Sequence, residues 1–164
     1  MDGQSFDALI ADVSHVRRKW LDLPYASLSP AQRLDIYLPD EGDAPFPIIL
    51  YIHGGGFAFE DKRRIHLLPF LKGIERGYAV VGVDYRLSGE ALFPAGIQDV
   101  KAAIRWLRAN CEQYQLDGSR IAACGGSSGR GRPIRDGRRG KVSGRRVSQR
   151  RRRPAVEDEL ATTH

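Results

Sequence analysis

The sequence has little cysteine and no long apolar run, and these two absences exclude several classes of protein. Two cysteines in 164 residues, Cys111 and Cys124, are too few for the disulfide framework of a small secreted domain. We interpret Cys111 as part of an apolar helical face and Cys124 as part of a strand, both as small core residues. No stretch approaches the roughly 18 apolar residues of a membrane helix. The first residues also lack the basic and then apolar pattern of a secretory signal, so the sequence predicts a soluble cytoplasmic protein.

The acidic residues do not keep pace with the basic ones after Gly129, where Lys and Arg become dense and the composition of the chain changes. Residues 1–129 carry 14 Lys and Arg against 16 Asp and Glu, a net charge of −2, whereas residues 130–164 carry 12 against 4, a net charge of +8. The second segment has no strand-like apolar run and no helical stripe. It cannot bury enough apolar surface to offset the entropy of ordering. We therefore predict a structured domain over residues 1–129 and a disordered Arg/Gly-rich tail over residues 130–164.

Short apolar runs predict four strands in the first segment. Residues 33–38 alternate polar and apolar side chains, which is typical of a half-buried strand. Residues 47–52, 78–83 and 120–124 are nearly continuous in apolar side chains, which is typical of central strands covered on both faces.

Two helical patterns lie between these strands. Residues 62–76 have apolar side chains at near-helical spacing and end at Gly77, with Pro69 as a kink or as a start. A second apolar stripe follows Pro94 and consists of Ile97, Val100, Ile104, Leu107 and Cys111. Alternating strands and helices predict an α/β three-layer sandwich with a mostly parallel central sheet. Chemistry in such folds collects at the carboxyl ends of the strands.

Two glycine clusters follow predicted strands at that edge of the sheet. Residues 125–129 (GGSSG) form a G-x-S-x-G pattern, in which the glycines allow a tight turn that exposes the Ser127 hydroxyl. Residues 53–57 (HGGGF) have three glycines whose backbone N–H groups are free to bind a developing oxyanion. Each cluster taken singly has an alternative interpretation. Residues 125–129 could be a flexible Gly-Ser turn, and residues 53–57 could be a plain connecting loop or a phosphate-binding loop.

Taken together and in order, these motifs resemble the α/β-hydrolase carboxylesterase/lipase family, in the branch of acetyl-esterase, hormone-sensitive-lipase-like and feruloyl-esterase-like enzymes. The resemblance covers roughly residues 30–129. Its motifs are LDIYLP at 34–39, HGGGF at 53–57, DYRLS at 84–88, FPA at 93–95, Asp99, Trp106, Leu107, Asp117, RIA at 120–122 and GGSSG at 125–129.

The resemblance implies a serine hydrolase that cleaves small acyl esters without a metal or a cofactor. Ser127 would be the nucleophile, and the backbone N–H groups of Ser128 and of Gly54 or Gly55 would form the oxyanion hole. Other motif positions would shape the two loops, namely His53, Gly56, Gly125 and Gly129. Asp84 and Asp99 match positions that are structural in the family, and His15 and His66 are interpreted as surface or packing residues.

The resemblance stops within a residue or two of Gly129. The family continues into a helix and places its acid and its histidine later in the chain, whereas RGRP stands at residues 130–133 here. The remaining candidates for acid and base have no strand-and-loop context: Asp136, Glu157, Asp158, Glu159 and His164. We therefore expect an incomplete, inactive hydrolase, truncated or read in a wrong frame after Gly129. Residues 1–30 are the part that could belong to a substrate-selecting cap.

A binding function for the tail is the main alternative. The arginines at 145–146 and 150–153 could attach to nucleic acid or to an anionic surface through charge alone. No aromatic side chains interleave with them for stacking on bases, so a solvated tail without specific nucleic-acid binding is the favoured interpretation. A catalytically dead scaffold that pairs its sheet with a partner chain is the third hypothesis.

Overall fold

A computed structural model describes residues 10–130 of the chain. These residues form five strands: β1 Lys19–Pro24, β2 Arg33–Tyr37, β3 Phe46–Ile52, β4 Ala79–Val83 and β5 Leu116–Gly125. They also form two α-helices, α1 Leu68–Leu71 and α2 Ala95–Ala109, with short 3-10 helices at Ile65–Leu67, Ile74–Arg76 and Ser127–Arg130. None of the helices in this part of the chain is long and apolar enough to cross a membrane.

The five strands form one mixed sheet in the order β1-β2-β4-β3-β5. β4, β3 and β5 run parallel to one another, whereas β2 is antiparallel to both of its neighbours. The parallel strands follow the expectation for strands that alternate with helices. β3 therefore lies inside the sheet, and its carboxyl end is adjacent to the carboxyl ends of β4 and β5.

Apolar side chains cover both faces of the central strands β3 and β4, which makes the architecture three-layered. On one face α2 packs on alternate residues of β2, β3 and β4, including Ile36, Leu50 and Val81. On the opposite face Leu67 and Leu71 pack with intervening strand residues such as Tyr51. The alternation follows from the pleat of a strand, whose successive side chains point to opposite faces.

The strand predictions hold for β3 and β4 and need correction elsewhere. β2 is not half-buried: four of its five residues are buried, including Asp35, because charged side chains cover its second face. β5 begins at Leu116, earlier than predicted, and is not covered on both faces, since Ala122 and Ala123 are exposed. β1 was not predicted, and it places Lys19–Pro24 in the sheet and not in a separate cap.

The helix predictions also differ in detail from the structure. The predicted helix over residues 62–76 is divided into two 3-10 turns and the four-residue α1, in which Pro69 lies in the first turn. Gly77 ends this segment in the left-handed conformation (φ 79°), as a C-terminal glycine does. α2 confirms the amphipathic pattern, but it ends at Ala109, so Cys111 packs against the core from the turn after the helix.

The contact between α2 and the sheet supplies a stability prediction. Leu107 is fully buried (0% exposed) in the α2 layer. Leu107→Ala is expected to lower the free energy of unfolding by about 2–5 kcal/mol, because it removes apolar contacts and leaves a cavity. Urea unfolding measures the change. Arg105→Ala, on the exposed face of α2, is the matched control and should change it by less than about 0.5 kcal/mol; equal losses would contradict the packing described.

Candidate active site

The two glycine clusters lie side by side at the carboxyl edge of the parallel strands. Ile52, the last residue of β3, is paired with Gly125, the last residue of β5. The chain leaves β3 into the HGGGF segment and leaves β5 into the GGSSG segment. The side-by-side position of the two loops is thus a consequence of parallel pairing between adjacent strands.

The GGSSG segment forms a sharp turn with Ser127 at its apex. Ser127 is exposed and has φ 50°, a left-handed conformation that is uncommon for a residue with a side chain. A Cβ at Gly125 would lie 2.4 Å from the carbonyl oxygen of Gly129, and one at Gly129 would lie 2.2 Å from that of Ile52. Glycine is therefore required at both positions for the turn to close against β3.

The residues after β3 form a second irregular loop, residues 53–62, called the glycine loop below. Its Gly54 approaches the serine turn closely: a Cβ built there would lie 3.6 Å from the Cβ of Ser127. Gly55 is left-handed (φ 93°), and a Cβ there would lie 2.0 Å from the carbonyl oxygen of Phe59, because the loop folds back on itself. Gly55 therefore permits close backbone contact that a side chain would block, whereas a Cβ at Gly54 would only crowd the carbonyl oxygen of Gly126, at 3.1 Å.

His53, at the start of the glycine loop, is buried and makes local contacts. Its ring stacks on Tyr85 at 4.4 Å between centroids, and its Nδ1 lies 2.9 Å from the carbonyl oxygen of Gly54. Since a carbonyl only accepts, Nδ1 carries the proton and donates it. Burial lowers the pKa of His53, so the ring is neutral at pH 7 although nearby Asp84 opposes this effect.

A cluster of charged side chains closes the other end of the glycine loop. Lys62, 5% exposed, donates from Nζ to Asp84 at 2.6 Å and to Asp22 at 2.9 Å. Arg63 donates from two nitrogens to the fully buried carboxylate of Asp35, at 2.6 and 3.0 Å. Burial alone would lower the pKa of Lys62, but the carboxylates, Asp84 first, outweigh burial and raise it.

A second buried ion pair follows β4. The guanidinium of Arg86 donates from Nε and one terminal nitrogen to the two oxygens of Asp99, each at 2.8 Å. The side chain of Gln32 donates to the same carboxylate at 2.7 Å. Burial by itself would raise the pKa of Asp99, but these hydrogen bonds from Arg86 and Gln32 lower it on balance. Asp99 therefore links the start of α2 to the segment after β4.

A cavity of about 420 Å³ lies beside His53. Tyr85 and Leu87 from the segment after β4 contribute to its wall. Its acidic lining residues are Glu60, Asp61, Asp84 and Glu90. The cavity is thus bounded by the glycine loop and by the residues that follow β4.

The BD-FAE family model matches residues 34–131, the part of the chain that includes the glycine loop and the serine turn. The chain belongs to the BD-FAE family. The match spans more than half of the chain and ends next to the serine turn. Its structural relatives place it in the α/β-hydrolase fold.

Several relatives of this BD-FAE chain are esterases. Esterase LipI of Mycobacterium tuberculosis is 34% identical over 79% of this chain and 46% of its own length. A truncated form of a carbohydrate esterase from gut microbiota is 38% identical, with a TM-score of 0.64, over 73% of this chain and 43% of that one. Esterase B from Lactobacillus rhamnosis is 29% identical, with a TM-score of 0.62, over 72% and 38%. The chain spans less than half the length of each.

The structure brings some predicted site residues of this BD-FAE chain together and leaves others apart. Ser127 and Gly54 are adjacent, and Gly125 and Gly129 close the turn around the serine. Asp84 forms an ion pair with Lys62, and Asp99 forms one with Arg86. Two histidines, His15 and His66, are exposed. The remaining predicted candidates lie outside the described residues, namely Asp136, Glu157, Asp158, Glu159 and His164.

Sequence reasoning missed Lys62 and Arg63 as structural partners of the site. The available signal was local: two acidic residues, Glu60 and Asp61, are followed directly by basic residues at the end of a glycine-rich loop. It could not be interpreted without knowing that Asp35 is buried, because charged residues in a loop are usually solvated.

Proposed function

We propose that this chain carries the nucleophile and the oxyanion hole of a serine carboxylesterase that acts on small acyl esters. In this proposal the Ser127 hydroxyl attacks the ester carbonyl carbon and gives its proton to a base that residues 10–130 do not supply. The intermediate then expels the alcohol, which takes that proton, and water hydrolyses the acyl-serine. The backbone N–H groups of Ser128 and of Gly54 or Gly55 stabilise the negative charge on the carbonyl oxygen. The observation that carries the proposal is the exposed, left-handed Ser127 directly beside Gly54.

The free backbone donors of the glycine loop support this assignment. Within residues 10–130, the N–H groups of Gly54 and Gly55 donate no hydrogen bond to another residue. Backbone donors without a partner cost free energy unless water or a ligand accepts from them. An oxyanion that forms next to Ser127 is an acceptor of the required charge, and the esterase relatives are consistent with such chemistry.

We also propose that residues 1–164 alone are catalytically incomplete because they lack the triad acid and base. Among residues 10–130, the hydroxyl of Ser127 has no hydrogen-bond partner. His53 is unsuited to the role of base, since its protonated Nδ1 binds Gly54 and its ring is buried against Tyr85. An oxyanion hole without a base leaves about 10³–10⁴-fold catalysis over water. The reading-frame change after Gly129 stays a prediction, as it concerns residues outside the described range.

Hydrolysis of p-nitrophenyl acetate tests both parts of the proposal. The chain 1–164 is compared with a version in which the reading frame is restored after Gly129. We expect the restored protein to hydrolyse the ester at least about 10³-fold faster than the chain 1–164. Ser127→Ala should lower the rate of the restored protein by at least about 10³-fold. In the chain 1–164 the same substitution should have little effect, because a serine without its base contributes little.

Ser119→Ala is the matched control, since it removes an exposed hydroxyl of β5 that donates to Asp117. It should leave the rate of the restored protein unchanged. A restored protein that keeps its rate in Ser127→Ala would overturn the assignment of the nucleophile. A chain 1–164 as fast as the restored protein would overturn the proposed absence of a base, and His164 would then be examined first. The cytoplasmic location and a tail without specific nucleic-acid binding stay predictions, with binding to nucleic acid as the alternative for the tail.

A further inference from the structure

The start and the middle of the glycine loop are held by the segment that follows β4. The Tyr85 hydroxyl donates to the carbonyl oxygen of His53 at 2.9 Å, and the two rings stack. Further along, the backbone N–H of Ser88 donates to the carbonyl oxygen of Phe57 at 2.7 Å. These two attachments of the loop thus come from residues close together in sequence.

The far end of the loop is held by the residue next to Tyr85. Asp84 accepts the backbone N–H of Lys62 at 2.7 Å through one oxygen and the Lys62 ammonium at 2.6 Å through the other. The ammonium also donates to Asp22 in β1 and lies 3.9 Å from Asp35 in β2. One buried lysine therefore joins the loop to three strands or strand ends.

The backbone of the loop requires such attachments. Gly55 and Gly56 are left-handed, as are two residues with side chains, Phe57 (φ 63°) and Glu60 (φ 76°). Each left-handed residue with a Cβ costs about 1–3 kcal/mol and persists only where the surroundings determine it. Without its far attachment, the loop would relax and carry Gly54 and Gly55 away from Ser127.

We infer that Lys62 is a positioning residue for the oxyanion hole, because it fixes the glycine loop to Asp84 and to β1. This inference rests on the proposed esterase function. Lys62 does not touch the reacting atoms and acts through the backbone of Gly54 and Gly55. The ammonium is suited to this task because it has three donors, enough for the carboxylates that converge on it.

Hydrogen exchange of the full chain tests the attachment without any need for activity. Lys62→Met keeps the aliphatic length but removes the charge. We expect it to raise the exchange rate of the amides of Ala58 and Phe59, which donate to the carbonyl oxygen of Gly55, by about tenfold or more, because the loop opens locally. Lys62→Arg should restore the protection of the loop, and Lys72→Met, at an exposed lysine, is the matched control. Unchanged exchange in Lys62→Met would overturn the inference.

Kinetics on the same proteins test the consequence for catalysis. The residual hydrolysis of p-nitrophenyl acetate by the chain 1–164 comes, in our proposal, from the oxyanion hole. Lys62→Met should lower kcat by about 10–100-fold with KM within twofold, since the oxyanion forms only in the transition state. Lys62→Arg should recover most of kcat. A more mobile loop with unchanged kcat would overturn the positioning role.

A second variant covers the case in which Lys62→Met fails to fold. Lys62→Met combined with Asp84→Asn removes both charges of the pair while keeping the shape of both side chains, and the same loss of protection and of kcat is expected. Failure of the two proposals can be told apart. A frame-restored protein without any hydrolysis above background overturns the esterase proposal and with it the inference, whereas an active protein whose rate and loop protection are unchanged in Lys62→Met overturns the inference alone.

Discussion

Alanine at Gly129 is expected to lower the free energy of unfolding by about 3 kcal/mol or more, whereas alanine at Gly126 leaves it unchanged or slightly higher. A Cβ at Gly129 would lie 2.2 Å from the carbonyl oxygen of Ile52 and 2.9 Å from that of His53. These backbone oxygens lie at the end of β3 and at the start of the glycine loop, and they cannot move aside as a flexible side chain could. The serine turn would have to open or β3 would have to shift.

Gly126 is a matched control because it lies in the same turn, one residue before Ser127. A Cβ there would meet nothing within 4 Å. Urea unfolding followed by tryptophan fluorescence measures both variants, and Trp20 and Trp106 each lie against the core. Equal changes in the two variants would contradict the close contact between the turn and β3. Gly125→Ala should behave like Gly129→Ala, since its Cβ would lie 2.6 Å from the same Ile52 oxygen.

Methionine at Arg63 is expected to lower the free energy of unfolding by about 3–5 kcal/mol. Arg63 donates to both oxygens of Asp35, whose side chain is 0% exposed, and to Asp22 at 2.7 Å. Hydrogen bonds to Asp35 first, and then to Asp22, raise the pKa of the guanidinium above its ordinary value. Removing the cation leaves a buried carboxylate to which residues 10–130 offer the Tyr37 hydroxyl, the Asp22 N–H and the more distant Lys62 as the remaining compensation for its charge.

Arg17→Met is the matched control for this prediction. Arg17 is paired with Asp40 at 3.0 Å, but its side chain is 76% exposed. An exposed pair contributes about 0–1 kcal/mol, because water solvates both charges when the pair is broken. Urea unfolding of the two variants should therefore differ by at least about 2 kcal/mol. A double variant, Asp35→Asn with Arg63→Met, should recover part of the loss by removing the unpaired charge. Similar losses for Arg17→Met and Arg63→Met would show that burial of Asp35 is not what makes the pair important.

Local patterns in the sequence were enough to predict β3, β4 and α2. Continuous apolar residues of β3 and β4 indicated burial on both faces, and the stripe from Ile97 to Leu107 indicated one buried face. The serine turn and the glycine loop were predicted for the same reason, since glycines at such positions permit backbone geometry that other residues avoid. The motif order then indicated the family, which the BD-FAE match confirms.

β1 and the division of the predicted first helix could not be found in this way. The KWLDLP sequence of β1 has no regular alternation, and its pairing with β2 shifts register between Trp20 and Leu23. Asp22 within this irregularity is left-handed, and its N–H donates to Asp35. A strand of this kind is stabilised by partners distant in sequence, so its own residues carry little sign of it.

The sequence by itself determined where the glycine turns lie, which strands are apolar on both faces and which serine stands at the apex, because each depends on neighbouring residues. Only the tertiary structure decided that Gly54 lies against Ser127, that Asp35 is buried and that Lys62 holds the glycine loop to Asp84. Those facts depend on residues up to 73 positions apart that strand pairing brings together. A buried charge is stable only with a partner, and the cationic partners of Asp35, Arg63 and Lys62, come from another part of the chain.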